Sequence, residues 1–542
     1  MVGPVNRFKR LPLRAAALIA RRWDLWSTNR RISQLAWQVS HHAPPVSKKG
    51  IVIFNASTRL YGLSLNAAYS MLASWSLRLQ GVPVIHFVCH AGMSRCVLAP
   101  RGTDPQVSPP CRACMAQSRH VYQESQVVPF YYRPDKRLQD LVSNLTLENL
   151  ISFSFEDLPL GSLILPSVRW VLRRHHLQDD EASRFLCRQY ILSAWGIACQ
   201  FSKMLDDVKP ESVVVFNGMF YPEAVARRLA LKRGLQVITH EVGMQPISAF
   251  FTAGEATAYP TDIPQGFALN PAQAARLDAY LEKRFQGDFS MAGIRFWPQI
   301  AHLSSEFLVK ISKFQKIVPV FTNVVFDTSQ PHSNVVFPQM FAWLDLVLDL
   351  IKRHPEAVFV IRAHPDEFRA GKESHESVRA WVERNHVADQ PNVVFVDALE
   401  RFSSYELIQQ AHFVMVYNST VGLEASIMGK PVLCGGKARY TQYATVFSPG
   451  TPEEYQGMAE SFLASEQIDV PLEFRLNARC FLYYTLYRTS LPFNQFLKAG
   501  NLPGFVHLQD FTWQALLPEN SETMRVISDG ILNQQPFIID SV

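Results

Sequence analysis

The sequence predicts an α/β protein made of two doubly wound parallel sheets. Three observations carry this. Short continuous apolar runs such as "IVIFNA" (51–56) and "AVFVIR" (357–362) read as parallel strands buried on both faces. Helical patterns alternate with these runs in βαβ order. The alternation occurs twice, on either side of a mostly helical stretch. With 542 residues, 48% of them hydrophobic and 18% charged, the chain has length for two cores plus terminal additions.

Residues 1–47 form a basic arm. Residues 1–50 hold ten Lys/Arg (Arg7, Lys9, Arg10, Arg14, Arg21, Arg22, Arg30, Arg31, Lys48 and Lys49) and one acid, Asp24. The whole chain carries +6, so the remainder is net −3 and a nucleic-acid-binding body is not expected. The cations interleave with Leu18, Ile19, Trp23, Leu25, Trp26, Ile32, Leu35 and Trp37. That pattern suits an amphipathic helix pair on an anionic membrane surface, or a helical extension packed on the body. Its one apolar run, "LPLRAAALIA", is interrupted by Arg14 and lacks the form of a signal peptide. Nowhere do about 18 uncharged apolar residues follow one another, so no membrane-spanning helix is expected. The expected location is the cytoplasm, peripheral on the inner face of the cell membrane.

An N-terminal Rossmann-like domain is expected over 48–265. "IVIFNA" is followed by helical "SLNAAYSMLASWSLRLQG", strand "VPVIHFVCH", helix "EASRFLCRQYILSAWGIACQFSKML", strand "SVVVFNG", helix "PEAVARRLALKRG" and strand "LQVITHE". A helical bridge follows over 266–315, with Asn270 as cap and Pro271 at the first helical position of "NPAQAARLDAYLEKRFQG". The second sheet, over 316–455, begins at "KIVPVFTNVVFD" and has at least five strands, ending with "KPVLCG". Residues 456–542 are expected to be a helical extension.

Ligands of open α/β sheets bind outside the carboxyl ends of the strands, so residues that follow strands are the candidates. After "AVFVIR" comes His364-Pro365; the proline holds the histidine extended and aims its ring outward. That imidazole suits a phosphate oxygen and the departure of a leaving phosphate, or simply caps a loop. After "HFVMVY" come Asn418, Ser419 and Thr420. Ser419 or Thr420 is a good helix N-cap, beyond which free N–H groups favour phosphate. Glu424 has the wrong spacing for a capping box and is placed to accept hydrogen bonds from ribose hydroxyls. Gly422 is expected to let a ligand approach the backbone. In "CGGKARY", Lys437, Arg439 and Tyr440 either cover phosphates or belong to a solvated loop.

No G-x-G-x-x-G follows a strand, and there is no G-x-x-x-x-G-K-[ST]. No D-x-D follows a strand either, so the departing phosphate is expected to be neutralised by helix dipole, histidine and cations rather than by a metal. Such an arrangement is that of two-domain glycosyltransferases of the GT-B type, with a nucleotide sugar as co-substrate. An acceptor hydroxyl also needs a base from across the cleft. Glu241, just past "LQVIT", is the first choice and His240 its competitor, with a capping or buried-loop role as the alternative for both. Loop 55–62 offers Arg59 to an anionic acceptor.

Four cysteines, Cys89, Cys96, Cys111 and Cys114, fall in one segment. The C-x₂-C half is common in zinc or iron–sulfur sites, and buried or free thiols are the alternative. Cys187, Cys199, Cys434 and Cys480 sit in apolar contexts and are expected in the core.

The segments "FTNVVFD" (321–327), "IRAHPDE" (361–367), "SSYELIQQAHFVMVYNSTVGLEASIMGKPVL" (403–433) and "NARCFLYYTLYRTSLPF" (477–493) together resemble the bacterial capsule polysaccharide biosynthesis family, related to capsule Kdo transferases. More distantly, the His-Pro and Ser/Thr pairs resemble those of bacterial sialyltransferases. The resemblance implies that His364, Ser419 and Thr420 meet the donor phosphate and that Glu424 holds ribose or base. It implies a transferase moving sugar from a CMP- or UDP-sugar to a capsule, another surface polysaccharide or a glycolipid. A nucleotide-sugar 2-epimerase and a non-catalytic glycan-binding protein are the alternatives. Many relatives have an arginine after Asn-Gly, whereas here Met219 follows Gly218.

Overall fold

The computed structural model describes residues 5–56, 62–98, 106–287, 290–291, 294–295, 302–369, 373–400 and 403–540, with backbone only for 5–18, 20–21 and 290–295. The arm is one helix, α1 (Val5–His42), rather than the expected pair. Its Ile32, Leu35, Ala36 and Val39 join the core of the N-terminal domain, which keeps the helix continuous over the body.

The first sheet contains β1 (Ile51–Phe54), β2 (Val84–Cys89), β3 (Gln126–Phe130), β4 (Ser212–Phe216), β5 (Gln236–Val242) and β6 (Ser248–Thr252). β1 to β5 are parallel in the order β3-β2-β1-β4-β5, and β6 is antiparallel to β5. Side chains alternate between two cores: Ile51 and Ile53 face one, Val52 and Phe54 the other. Burial on both faces is why the run carries no polar alternation.

The second sheet contains β7 (Lys316–Phe321), β8 (Ala357–Arg362), β9 (Val393–Val396), β10 (Val414–Val416) and β11 (Val432–Cys434). All five are parallel, in the order β9-β8-β7-β10-β11. Both sheets therefore have 3-2-1-4-5 topology, with the order reversing beside the first strand of each. In the second sheet the reversal lies between β7 and β10. Phe321 is in register with Arg362 and with Val416, which brings the three strand ends to one level. That switch point is where open α/β sheets bind ligands.

The bridge helix Pro271–Phe285 starts with an Asn270–Gln273 capping box and Pro271 at the first position, and it packs Leu277 and Leu281 into the second domain's core. The end of the chain differs from a helical extension. Helices Pro452–Ala464 and Leu472–Tyr483 cover the second sheet, after which β12 (Leu491–Pro492) pairs antiparallel with β6. Helix Glu522–Asn533 then contributes Met524, Ile527 and Ile531 to the first domain. Apolar residues spaced for either sheet do not reveal from sequence which one they cover.

Candidate active site

A cleft of about 710 Å³ opens at the switch point of the second sheet, a size suited to a nucleotide sugar. The second domain supplies Thr322 and Asn323 after β7, Arg362, His364 and Asp366 after β8, and Asn418, Ser419 and Thr420 after β10. Residues 327–333 and 437–440 add Asp327, His332, Lys437, Arg439 and Tyr440. The facing wall, from the first domain, contributes Trp170, Glu255 and Thr257.

His364 has the extended backbone expected of a residue before proline (φ −70°, ψ 132°). Its Nδ1 accepts the N–H of Asp366 at 3.1 Å, so the neutral ring carries its proton on Nε2. Burial lowers its pKa, Arg362 lowers it further, and Asp366 and Asp327 act in the opposite sense. A donor phosphate meeting this ring is met by an N–H donor, and its charge would stabilise the imidazolium. Burial also brings Arg362 down to about 10.

The segment after β10 differs from a capped helix. Thr420 stands at the cap position, but no side chain there makes a cap hydrogen bond. The N–H groups of Gly422, Leu423 and Glu424 turn back onto the carbonyls of Ser419 and Thr420. Those three N–H groups are therefore taken, and the Ser419 and Thr420 side chains line the cleft. Asn418 is fixed by its N–H to Asn323 Oδ1 (3.3 Å) and by Nδ2 to Ser333 Oγ (2.6 Å). Its buried Oδ1 has no partner among the described residues, an acceptor held ready for a donor such as a sugar or ribose hydroxyl.

Gly422 serves the protein rather than a ligand: a Cβ there would lie 2.2 Å from the Tyr440 hydroxyl, which donates to the Ser419 carbonyl at 2.8 Å. Glu424 lines the cleft, but it is paired. Arg284 donates to its Oε1 through Nε (2.9 Å) and Nη2 (2.5 Å), and Tyr405 donates to Oε2 at 2.6 Å. Burial alone would lower the Arg284 pKa, and the Glu424 carboxylate reverses this and raises it. One lone pair on Oε2 remains for a ribose hydroxyl, where two hydroxyls were expected.

Most of the glycine loop is packed, with Lys437 exposed. A Cβ on Gly435 would fall 2.5 Å from the Trp343 ring, and the Arg439 guanidinium stacks 3.6 Å from the centre of Tyr259 in the first domain.

Neither expected base lines the cleft. His240 is fully buried, with Nε2 3.0 Å from Ser70 Oγ and its ring stacked on Phe251, and burial lowers its pKa to about 3. It is a core histidine. Glu241 is half-buried and accepts from Asn217 Nδ2 (2.5 Å) and the Val242 N–H (3.1 Å); burial raises it to about 7 against these bonds. Asn217 also reaches Thr328 Oγ1 in the second domain at 3.3 Å, so Glu241 stands one residue away from the cleft loop. Arg59 lies outside the described residues.

Sequence reasoning missed the acids that do face the cleft. Glu255 pairs with Arg227 (2.7 Å) and His332 (3.2 Å), whose Nε2 is 2.8 Å from Thr257 Oγ1. Asp327 accepts from the Thr328 N–H (2.8 Å) and Ser329 Oγ (2.9 Å). The strand "SAFFT" before Glu255 was the available signal, and Asp327 closes the "FTNVVFD" segment.

Cys89, Cys96, Cys111 and Cys114 do come together, around a separate cavity of about 20 Å³. Among the described residues, however, no three His, Cys, Asp or Glu side chains are arranged to hold a metal ion. Burial pushes the Cys96 and Cys111 thiols up. Cys187 and Cys434 are buried as expected, whereas Cys199 is exposed.

Two 3-2-1-4-5 sheets sharing one cleft are the GT-B arrangement, and over its second sheet the chain is similar to a known family. Residues 308–445 match the model of the family described as capsule polysaccharide biosynthesis protein. Protein FixF of Sinorhizobium fredii is 28% identical over 236 residues, 42% of this chain and 49% of its own length, so the chain spans about half of that relative. Among solved structures, the beta Kdo 2,4 transferase of Thermosulfurimonas dismutans KpsC aligns at 13% identity and a TM-score of 0.34 over 52% of this chain and 80% of its own. The beta Kdo 2,7 transferase of the same KpsC aligns at 15% and 0.33 over 62% and 90%. At these scores the fold rests on the sheet order and register of the chain itself.

Proposed function

We propose that the chain is a glycosyltransferase that moves a sugar from a nucleotide-activated donor, a CMP- or UDP-sugar, to a growing capsule, other surface polysaccharide or glycolipid, working peripherally on the inner face of the cell membrane. The observation that carries the reading is the convergence of His364 Nε2–H, the Ser419 and Thr420 hydroxyls and the unpartnered Asn418 Oδ1 on one cleft at the switch point of the second sheet. Hydrogen-bond donors aimed at a leaving phosphate stabilise the charge that develops there. Lys437 and Arg439 add positive charge to the same wall.

In this reading the donor phosphate sits against His364, Ser419 and Thr420. The acceptor oxygen forms its bond to the anomeric carbon while the bond from that carbon to the phosphate oxygen breaks, and the electron pair leaves with the phosphate. The acceptor proton goes to Asp327. Of the cleft carboxylates, Glu424 and Glu255 are committed to arginines and Asp366 lies 3.6 Å from Arg369, whereas Asp327 accepts only two neutral hydrogen bonds among the described residues. Burial raises Glu241 to about 7, and the Asp327 carboxylate acts on it in the same sense.

Thermal unfolding in the presence of CMP, UDP and their sugars tests the first step. A ligand at 100 times its Kd stabilises by about 2.7 kcal/mol. One nucleotide class is expected to raise the midpoint in the wild type and not in Ser419→Ala/Thr420→Ala. Failure of every nucleotide would remove the reading, and donor consumption without acceptor would turn it towards an epimerase.

A further inference from the structure

The exposed face of α1 is not an ordinary solvated surface. At 3.6 residues per turn, Ile19, Trp23, Trp26, Arg30 and Trp37 fall within an arc of about 60° along about 27 Å of helix. The three indoles are 67%, 50% and 58% exposed, and Ile19 is 68% exposed. Trp23 and Trp26 lie 4.9 Å apart, and the Arg30 guanidinium sits 5.3 Å from the Trp26 ring. Arg22 is exposed at the margin of the same stripe.

The opposite face is occupied. Ile32, Leu35, Ala36 and Val39 are buried in the first domain, and Thr28 Oγ1 is 3.0 Å from His507 Nδ1. Asp24, the one acid of residues 1–50, points to this side, 3.4 Å from His507 Nε2. Docking thus separates the charges: the acid turns to the body, while the outward stripe keeps indoles and guanidinium groups.

We infer that this stripe binds an anionic lipid bilayer, with the indoles at headgroup depth and Arg22 and Arg30 on lipid phosphates. The inference deepens the peripheral placement proposed above and rests on it. Tryptophan prefers the interface because its ring is apolar and its N–H polar, and juxtamembrane cations are drawn to acidic headgroups. The stripe is a convex rod that carries Arg22 and Arg30 and no carboxylate, which matches an extended anionic surface. It also anchors to the first domain, so bound lipid would hold that domain, where a membrane-borne acceptor enters, against the bilayer.

The test is flotation of the full chain with vesicles of phosphatidylglycerol and phosphatidylcholine, and with phosphatidylcholine alone. Wild type is expected to float with the anionic vesicles, less so as salt rises. Trp23→Ser/Trp26→Ser/Trp37→Ser is expected to bind about tenfold or more weakly, and Arg22→Glu/Arg30→Glu to lose the preference for anionic lipid. Both should keep the wild-type melting midpoint and donor turnover on a soluble acceptor. Wild type that stays unbound, a triple variant that floats like wild type, or a stripe that dimerises the chain without lipid would each overturn the inference. Failed flotation with intact nucleotide binding removes the surface alone; failed nucleotide binding with intact flotation removes the transferase reading alone.

Discussion

Glu424→Gln separates a structural acid from a ligand-binding one. The side chains of Arg284 and Glu424 are 7% and 5% exposed, and the pair joins the bridge helix to the helix Val421–Ile427 that follows β10. The amide keeps the shape but removes the carboxylate charge beside the buried guanidinium. Breaking a buried pair in this way costs about 3–5 kcal/mol. With a urea m-value of about 2–3 kcal/mol/M, the unfolding midpoint of the second domain should fall by about 1–2 M. Trp343 and Trp381, both buried in that domain, report the transition by fluorescence. Replacing the whole cluster by Arg284→Met/Tyr405→Phe/Glu424→Leu should recover most of the loss, because apolar residues of similar volume often match a buried pair. Nucleotide affinity in Glu424→Gln should change less than about tenfold, the worth of one hydrogen bond. An unchanged midpoint with abolished nucleotide affinity would refute the pairing as the reason for the acid.

Asp327→Asn is expected to lower kcat by about 10²–10⁴ with little change in donor affinity, whereas Glu255→Gln should act mainly through stability; turnover and donor titration distinguish them. Gly422→Ala should destabilise by about 1–3 kcal/mol through contact with the Tyr440 hydroxyl, and Tyr440→Phe should recover part of it, read by thermal melting. His240 stays neutral in the fold down to about pH 3 but takes a proton near 6.5 when unfolded. Its contribution is therefore complete above pH 6.5 and is lost as pH falls towards 3. Between pH 7 and 5 the loss is about 2 kcal/mol, and His240→Gln should show a correspondingly shallower acid dependence in denaturant unfolding.

The strands of both sheets were legible because burial on two faces leaves uninterrupted apolar runs, and strand-end polar residues such as His364 and Asn418 stand out against them. Partnership was not legible. Arg284 and Glu424 lie 140 positions apart, and nothing local to either marks the other. Gly422 reads equally as room for a ligand or for Tyr440. The unpredicted strand Ser248–Thr252 concealed Glu255, and the return of β12 to the first sheet depends on long-range pairing. His240 and Glu241 are neighbours within β5, yet the His240 ring turns into the core; the period-two alternation of a strand separates the two.

The most direct measurement is nucleotide release from CMP- and UDP-sugars by wild type and His364→Ala, with and without a surface-glycan acceptor. The account predicts release from one nucleotide class, only when acceptor is present, and at least about a hundredfold slower in the variant. Release that ignores the acceptor, or a His364→Ala protein as active as wild type, would contradict it.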